Sequence, residues 1–590
     1  MLKSMPASIL SFFGKKDTGS RYFRLVPYLI VILLIAAAYG GSLRNGFIWD
    51  DETFMVNNKY VHDISRWEEY FTTPESISSE PTLSRMYRPV QTLSFAIDAL
   101  LWGKKAGGFH LTSLALHAAC CAAIIFAFGL LIGRTLVIAS AIIFAVHPAL
   151  SEGVLSLSAR GNQLYTLFSL LSLGAFMRVA RPFDRNHFFC LATLSIALLS
   201  KEPAIALIAL LPVLQIGFNR PWEFQAKQTL LLYLPLVISV ALFLLLRAHV
   251  VGAAKVVPYW GGSLWATVQM QAEVFVIYLS LLVWPFSLQG RYVIPPPAPF
   301  PDPAAIGALL LNVILIVAGV VTYRAGDRPK LLALAIIWFY ISLAPVSNII
   351  PIPGSMLGER FIYFAFAGVI PLLAAAAGES VFKRHAIIAA CCGAVVLSSW
   401  LVTDITRTPV WRDNKSFFTL ATVQVPTSIA VQVRMAQEEI ASKETDSALR
   451  RLEGILNSRS VSPLQRDMAL VHYWYGRALL AADRPPEAYR EFRISADLFE
   501  EPRKDLILYL AEAAARSGDF RGALSLLEKE LKKSMEDDSI WNGMGNVYLM
   551  TGDLSSAASS YQQALRINPR NTEAASNLQF VLRRQALKTH

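Results

Sequence analysis

The chain has 590 residues, of which 16% are charged, with a formal net charge of +11 and a mean hydropathy of +0.43. Soluble domains carry about 25% charged residues, so the composition excludes a wholly soluble protein. The basic excess does not mark a nucleic-acid binder either: outside the C-terminal part most Lys and Arg flank apolar runs, where membrane proteins place them, and no nucleic-acid motif occurs.

Residues 1–24 form a basic tail with Lys3, Lys15, Lys16, Arg21 and Arg24. The run Leu25 to Leu43 has the length of a membrane span and no A-x-A-like cleavage site after it, so it reads as a signal anchor with a cytoplasmic N-terminus. Further apolar runs recur at about 109–133, 135–150, 154–177, 187–200, 203–218, 228–251, 265–288, 304–322, 331–350, 361–378 and 385–403. The clusters Arg178/Arg181/Arg185, Arg324/Arg328/Lys330 and Lys383/Arg384 belong on the cytoplasmic side. Five runs separate Arg185 from Arg324, and two cytoplasmic ends require an even number of crossings, so one run does not cross. Gln269, Gln271 and Glu273 on one side of a helix single out 265–288; the alternative is that 187–218 crosses once. Either way the chain makes about eleven spans over 25–404, and the C-terminal part of the chain lies opposite the cytoplasm.

On this topology 45–108 is a long external loop with two amphipathic stretches, Ile64–Phe71 and Pro89–Trp102, of the kind that lie on a membrane surface. The proline-rich segment 295–301 is a stiff external loop. Cys120, Cys121, Cys190, Cys391 and Cys392 all sit inside apolar runs and give neither a disulfide framework nor a zinc spacing.

After a linker at 405–429, in which Arg407 and Arg412 read as ordinary linker residues, the chain repeats. Gly518 and Gly552, Ala523 and Ala557, and Leu510 and Met544 are each 34 apart, the period of the tetratricopeptide repeat (TPR). The series Trp541, Gly545, Tyr548, Gly552, Ala557, Tyr561, Ala564 and Pro569 carries its pattern. Gly545 and Ala557 allow close helix packing, with Trp541 and Tyr561 filling the space between. Gly476, Ala488 and Phe492 mark another unit, 430–456 a fourth, and 572–584 a cap, so 430–590 is a TPR α-solenoid. The fold class is all-α: a polytopic helical membrane domain followed by that solenoid.

Charges inside or beside membrane spans are costly and usually functional. Here they are Asp50 and Asp51 in Trp49-Asp50-Asp51-Glu52, Arg88 and His110 closing the same loop, His147 and Glu152 in one short turn, Arg160, Lys201-Glu202, and Glu359-Arg360 ahead of Tyr363. All face the external side, which argues for one active site. The plainer readings are a helix cap for Asp50/Asp51, a structural ion pair for Lys201-Glu202 and for Glu359-Arg360, a helix end at His147, and an interfacial polar face for Asp98. Transfer of a sugar from a polyprenyl phosphate to a hydroxyl needs a carboxylate to take the proton, cations or a metal to stabilise the departing phosphate, and a greasy groove for the lipid. Adjacent carboxylates cannot both point one way, so Asp50 or Asp51 is the base while the other holds the loop or a divalent metal. Arg88, Arg160, Lys201 and Arg360 are the phosphate candidates. His110, His147, Glu152, Glu202, Glu359 and Tyr363 support them.

The ordered set Trp49-Asp50-Asp51, Tyr87-Arg88-Pro89, Phe109-His110-Leu111, His117-Ala118, Phe144-Ala145-Val146-His147-Pro148 with Glu152, Ala159-Arg160-Gly161, Ser200-Lys201-Glu202 and Gly358-Glu359-Arg360-Phe361 resembles the transmembrane-and-TPR O-mannosyltransferases, and their bacterial relatives most. The resemblance implies a GT-C fold with about eleven spans, two surface helices in the first external loop, and inverting transfer of a sugar from a dolichyl- or undecaprenyl-phosphate donor to a protein hydroxyl. It implies an acidic base at Asp50 or Asp51 and a protein acceptor, which the TPR domain is expected to recruit; the composition argues against a nucleic-acid partner, and the topology read above fits a bacterial inner-membrane protein with the TPR domain on the periplasmic side. Two other function classes compete: a TPR membrane scaffold for envelope assembly, which needs none of these charges, and a lipid-linked-glycan transporter, whose charges would lie nearer the bilayer midplane.

Overall fold

The computed structural model describes residues 21–79, 86–218, 226–252, 258–295, 297, 302–351, 356–378, 386–458, 465–499, 503–533 and 536–588. The basic pair Lys383/Arg384 and most of 295–301 lie outside them. Every regular element among the described residues is helical. The chain divides into two compact units, Met1–Phe417 and Phe418–His590.

The first unit is the membrane domain. By length and composition, seven of its described helices can cross a membrane, or eight if the bent pair Arg134–Ala145 and Pro148–Leu155 is one span. That is fewer than the eleven expected. The difference lies in three short helices and the last apolar run: Arg160–Phe176, Arg185–Ser200 and Ala206–Gly217 have 17, 16 and 12 residues, below the roughly 20 that a perpendicular crossing needs, and the 22-residue helix Ala386–Arg407 is not among the seven. Leu264–Val283, the run set aside as non-crossing, is one of the seven.

Helix boundaries follow local chemistry. Asp302 caps Pro303–Tyr323 by accepting N–H bonds from Ala304 and Ala305, with proline at the first helical position, where no N–H is needed. Asp184 caps Arg185–Ser200 in the same way through His187 N–H. At the centre, Arg160–Phe176 and Tyr363–Ala377 are buried on nearly all sides. Gly368 admits the Trp338 indole against the backbone and Gly174 admits Phe126; a methyl group at either position would collide with the ring. At the periphery, Ala226–Val251 and Pro303–Tyr323 turn Leu242, Leu245, Val313, Ile314 and Val320 outward, with more than half of each exposed, a face that only lipid would accept.

The 45–108 loop is a folded cap. Phe54, Met55, Val61 and Ile77 pack with Phe95, Phe109 and Leu157 in one buried cluster. The helix Pro89–Trp102 buries Phe95, Ala96 and Asp98 and leaves Ile97, Leu100 and Leu101 exposed, while the Ile64–Phe71 stretch breaks into two short helical pieces with Trp67 exposed.

In the second unit four antiparallel helix pairs stack and a final helix, Thr572–Lys588, covers the last pair. The pairs are Ile429–Ala441 with Thr445–Asn457, Gln465–Ala481 with Pro485–Leu498, Lys504–Arg516 with Phe520–Leu531, and Asp538–Thr551 with Leu554–Ile567. Each first helix ends on a left-handed residue, in order Lys443, Asp483, Gly518 and Gly552. The next residue then bonds back five positions, as Glu444 N–H to Glu439 O and Asp553 N–H to Tyr548 O, which satisfies carbonyls that the helix end would orphan. Only two of the four positions are glycine, which is why the 34-residue signature is clear only in the last two pairs.

Candidate active site

Asp50 and Asp51 diverge. The Asp51 carboxylate is buried and engaged through both oxygens: Oδ2 accepts Ile48 N–H at 3.1 Å and Oδ1 accepts Ser158 N–H at 2.8 Å. Burial pushes its pKa up to about 7 against the pull of these two donors. Asp50 instead lines a small, partly open cleft, with room for about one water molecule, together with Ile48, Trp49, Glu152, Ser156, Ser158, Arg360 and Trp411. Trp49 sets up this divergence. Its φ of +48° is strained for a bulky residue, at a cost of about 1–3 kcal/mol, and it turns the chain just ahead of Asp50.

Arg360 lines the same cleft. Its Nη1 lies 2.6 Å from Glu152 Oε1, and its backbone N–H donates to Glu152 Oε2 at 2.9 Å, so one carboxylate orients both the backbone and the guanidinium. The Arg360 side chain keeps 26% of its surface exposed and has donors to spare. Lys201 donates to Asn162 Oδ1 at 2.6 Å and sits over the Phe361 ring, within electrostatic reach of Arg88, Arg360, Glu202 and Glu152. Arg88 Nε pairs with Glu202 Oε2 at 3.0 Å, and Arg247 from the helix Ala226–Val251 also acts on Glu202. The structure thus brings together Asp50, Glu152, Arg360, Lys201, Glu202 and Arg88. The Lys201-Glu202 pairing considered from sequence is not the bond formed: each binds a residue from another element.

The other sequence-selected residues stand apart. Arg160 is fully buried, with Nη1 2.5 Å from Asp98 Oδ2 and Nη2 donating to Phe109 O at 2.8 Å, so it does not reach a phosphate in the cleft. Asp98 is its partner, not an interfacial polar face. His110 is buried against Gly46 O at 3.5 Å. His147 bonds Leu282 O at 3.2 Å and packs on Trp400 and Phe366. Tyr363 Oη meets His117 Nδ1 at 2.6 Å inside the helix bundle.

Glu359 is wholly buried and accepts from Arg407 at 2.8 Å, Tyr292 Oη at 2.7 Å and Gln289 N–H at 3.1 Å. The linker reading of 405–429 is corrected here, because residues 405–417 pack within the membrane domain. Arg407, Asn414, Trp411, Asn162 and Ser158 are the contributors that sequence reasoning missed. Arg407 carried the one usable signal, a charge at the end of the last apolar run.

Each Asp51 oxygen accepts one backbone N–H group and keeps a second lone pair. Among the described residues no three His, Cys, Asp or Glu side chains are grouped to hold an ion.

The fold and site define an all-α, multi-span membrane protein with an acid-and-base cleft under its first extramembrane loop and a TPR domain at its C-terminal end. A tetratricopeptide-repeat family model matches residues 508–572. The chain is 23% identical over 416 residues to human "Protein O-mannosyl-transferase TMTC3", covering 63% of this chain and 45% of that protein. It is 25% identical over 509 residues to human "Protein O-mannosyl-transferase TMTC4", covering 75% and 66%. The chain therefore spans about half to two thirds of the length of these curated relatives. Among solved structures, YrrB, "a TPR protein with an unusual peptide-binding site", aligns over 34% of this chain and 95% of its own at 16% identity and a TM-score of 0.23. The resemblance to the transmembrane-and-TPR O-mannosyltransferases read from the motifs is thus shared by these relatives over 63% and 75% of the chain.

Proposed function

We propose that this protein is a membrane glycosyltransferase that moves a sugar from a polyprenyl-phosphate donor to a hydroxyl of a protein acceptor on the non-cytoplasmic face, inverting the anomeric carbon. The observation that carries the reading is that Asp50 and Arg360 line one cleft and act on each other electrostatically. Asp50 is the base: its carboxylate takes the proton as the acceptor oxygen forms its bond to the anomeric carbon. The bond from that carbon to the phosphate oxygen breaks, and the electron pair leaves with the polyprenyl phosphate. Arg360 binds the charge that develops there through its planar fork, with Lys201 and Arg88 alongside. Asp51 is a positioning residue: it holds Ile48 and Ser158 together, so the loop presents Asp50. The TPR domain recruits the acceptor.

The test is the pair Asp50→Asn and Asp51→Asn, purified, with donor binding and sugar transfer measured separately. Asp50→Asn should bind donor normally and lose about 10²–10⁴-fold in transfer rate. If both variants transfer at near-normal rates, Asp50 is not the base and Glu152 takes its place as the leading carboxylate. Donor moved across the bilayer with no sugar transferred would favour the transporter, and neither binding nor transfer would favour the scaffold.

A further inference from the structure

The segment 407–414 touches both sides of the cleft. On one side the buried Arg407 pairs with Glu359 at 2.8 Å, and Glu359 is the residue before Arg360. On the other, Thr408 O accepts Asn45 Nδ2 at 3.1 Å, Arg412 O accepts Gly46 N–H at 2.8 Å, and Asn414 Oδ1 accepts Trp49 N–H at 2.8 Å. Asn414 Nδ2 donates in turn to Glu52 Oε1 at 3.0 Å, so its amide spans the two residues that flank Asp50 and Asp51. Between these anchors Trp411 lines the cleft itself.

We propose that residues 407–414 are a positioning strap that holds the reacting groups in register, Asp50 through Asn414 and Trp49, and Arg360 through Arg407 and Glu359. The proposal rests on the glycosyltransferase reading of the cleft. Trp49 occupies a left-handed conformation that a bulky side chain does not choose, and a strained residue persists only where its surroundings over-determine it. Asn414 supplies that determination at the Trp49 N–H. Its side chain is only half-buried, so it adds little to the core, yet its amide oxygen and nitrogen are both committed to the Asp50 loop. Arg407 does the corresponding work from a nearly buried site, with 10% of its side chain exposed. A segment bonded to both the Asp50 loop and Glu359 also constrains the distance between them.

Asn414→Ala and Asn414→Asp in the full chain test the Asp50 arm. Asp keeps the acceptor for Trp49 N–H; Ala does not. Asn414→Ala should lower kcat by about 10–100-fold with donor KM little changed, and Asn414→Asp, which keeps the acceptor for Trp49 N–H but sets a carboxylate against Glu52, should recover only part of it. In an Asp50→Asn background Asn414→Ala should cost nothing more, because a residue that acts only through Asp50 has nothing left to position. Arg407→Gln should raise donor KM, and Arg407→Lys should restore it in part. Amide hydrogen exchange over 46–52 supplies a readout free of activity: Asn414→Ala should speed it while leaving 538–567 unchanged. Wild-type kinetics in folded Asn414→Ala and Arg407→Gln would overturn the strap, as would unchanged exchange over 46–52. A wild-type protein that transfers no sugar, with exchange in Asn414→Ala accelerated as expected, would instead overturn the enzyme reading and leave the strap standing.

Discussion

Arg160 Nη1 lies 2.5 Å from Asp98 Oδ2, and neither side chain exposes more than 2% of its surface. The guanidinium is completed by Phe109 O and by the Phe95 ring beneath it, and Thr112 Oγ1 donates to the other Asp98 oxygen at 2.7 Å. Removing one member of such a pair leaves a buried charge uncompensated and costs about 3–5 kcal/mol. Arg160→Gln should therefore lower the denaturation midpoint sharply in detergent while the fraction that stays folded binds donor normally. Loss of donor binding without loss of stability would return Arg160 to the phosphate-binding group.

The buried carboxyl of Asp51 predicts a pH signature. Its folded pKa stands near 7 because of burial, above its ordinary value of 3.8. Between those values the folded state holds more protons than the unfolded one, so this residue's contribution to stability falls as pH rises from about 4 to 7. Asp51→Asn lacks that titration. The stability of Asp51→Asn minus that of the natural protein should increase with pH across this window, as read by thermal denaturation at matched ionic strength. A difference that stays flat, or falls, would show that Asp51 does not titrate as a buried acid.

Gly545 sits against Tyr561, and a methyl carbon placed there would come within 2.5 Å of the ring. Gly476 and Phe492 repeat the relationship in the second helix pair at 2.7 Å. Gly545→Val should overpack the last pair by about 1–3 kcal/mol and accelerate amide exchange across 538–567, with transfer to a short peptide acceptor unaffected. If acceptor range changes as well, the last repeat takes part in selecting the acceptor.

From the basic residues that flank the apolar runs, the expectation is that the C-terminal domain lies on the non-cytoplasmic side. A cysteine introduced at the exposed position Arg450 should react with an impermeant maleimide added from outside to intact spheroplasts. Labelling only after lysis would invert the topology and remove the premise that acceptor and donor meet on the external face.

Sequence alone determined what depends on period and partition. The 34-residue spacing of Gly518 and Gly552 defined the solenoid because a left-handed helix end favours glycine, and the scarcity of charge before Asp404 required lipid. Where Lys443 and Asp483 take the same backbone conformation, the signature faded although the fold did not change. Ordered motifs also picked out Asp50, Glu152, Lys201, Glu202 and Arg360 before any contact was visible. What sequence left open was partnership. Asp50 and Asp51 are chemically identical neighbours, and they separate through the turn at Trp49 and through the N–H of Ser158, more than a hundred residues away, which Asp51 accepts. Arg160 and Arg360 look alike in a linear motif; one is consumed by Asp98 and the other is held by Glu152 with donors left over. Arg407 looked like a linker residue until Glu359 was found beside it. Hydrophobic period is a local property that a sequence displays directly, whereas the partner of a buried charge is set by long-range packing, which only the folded chain decides.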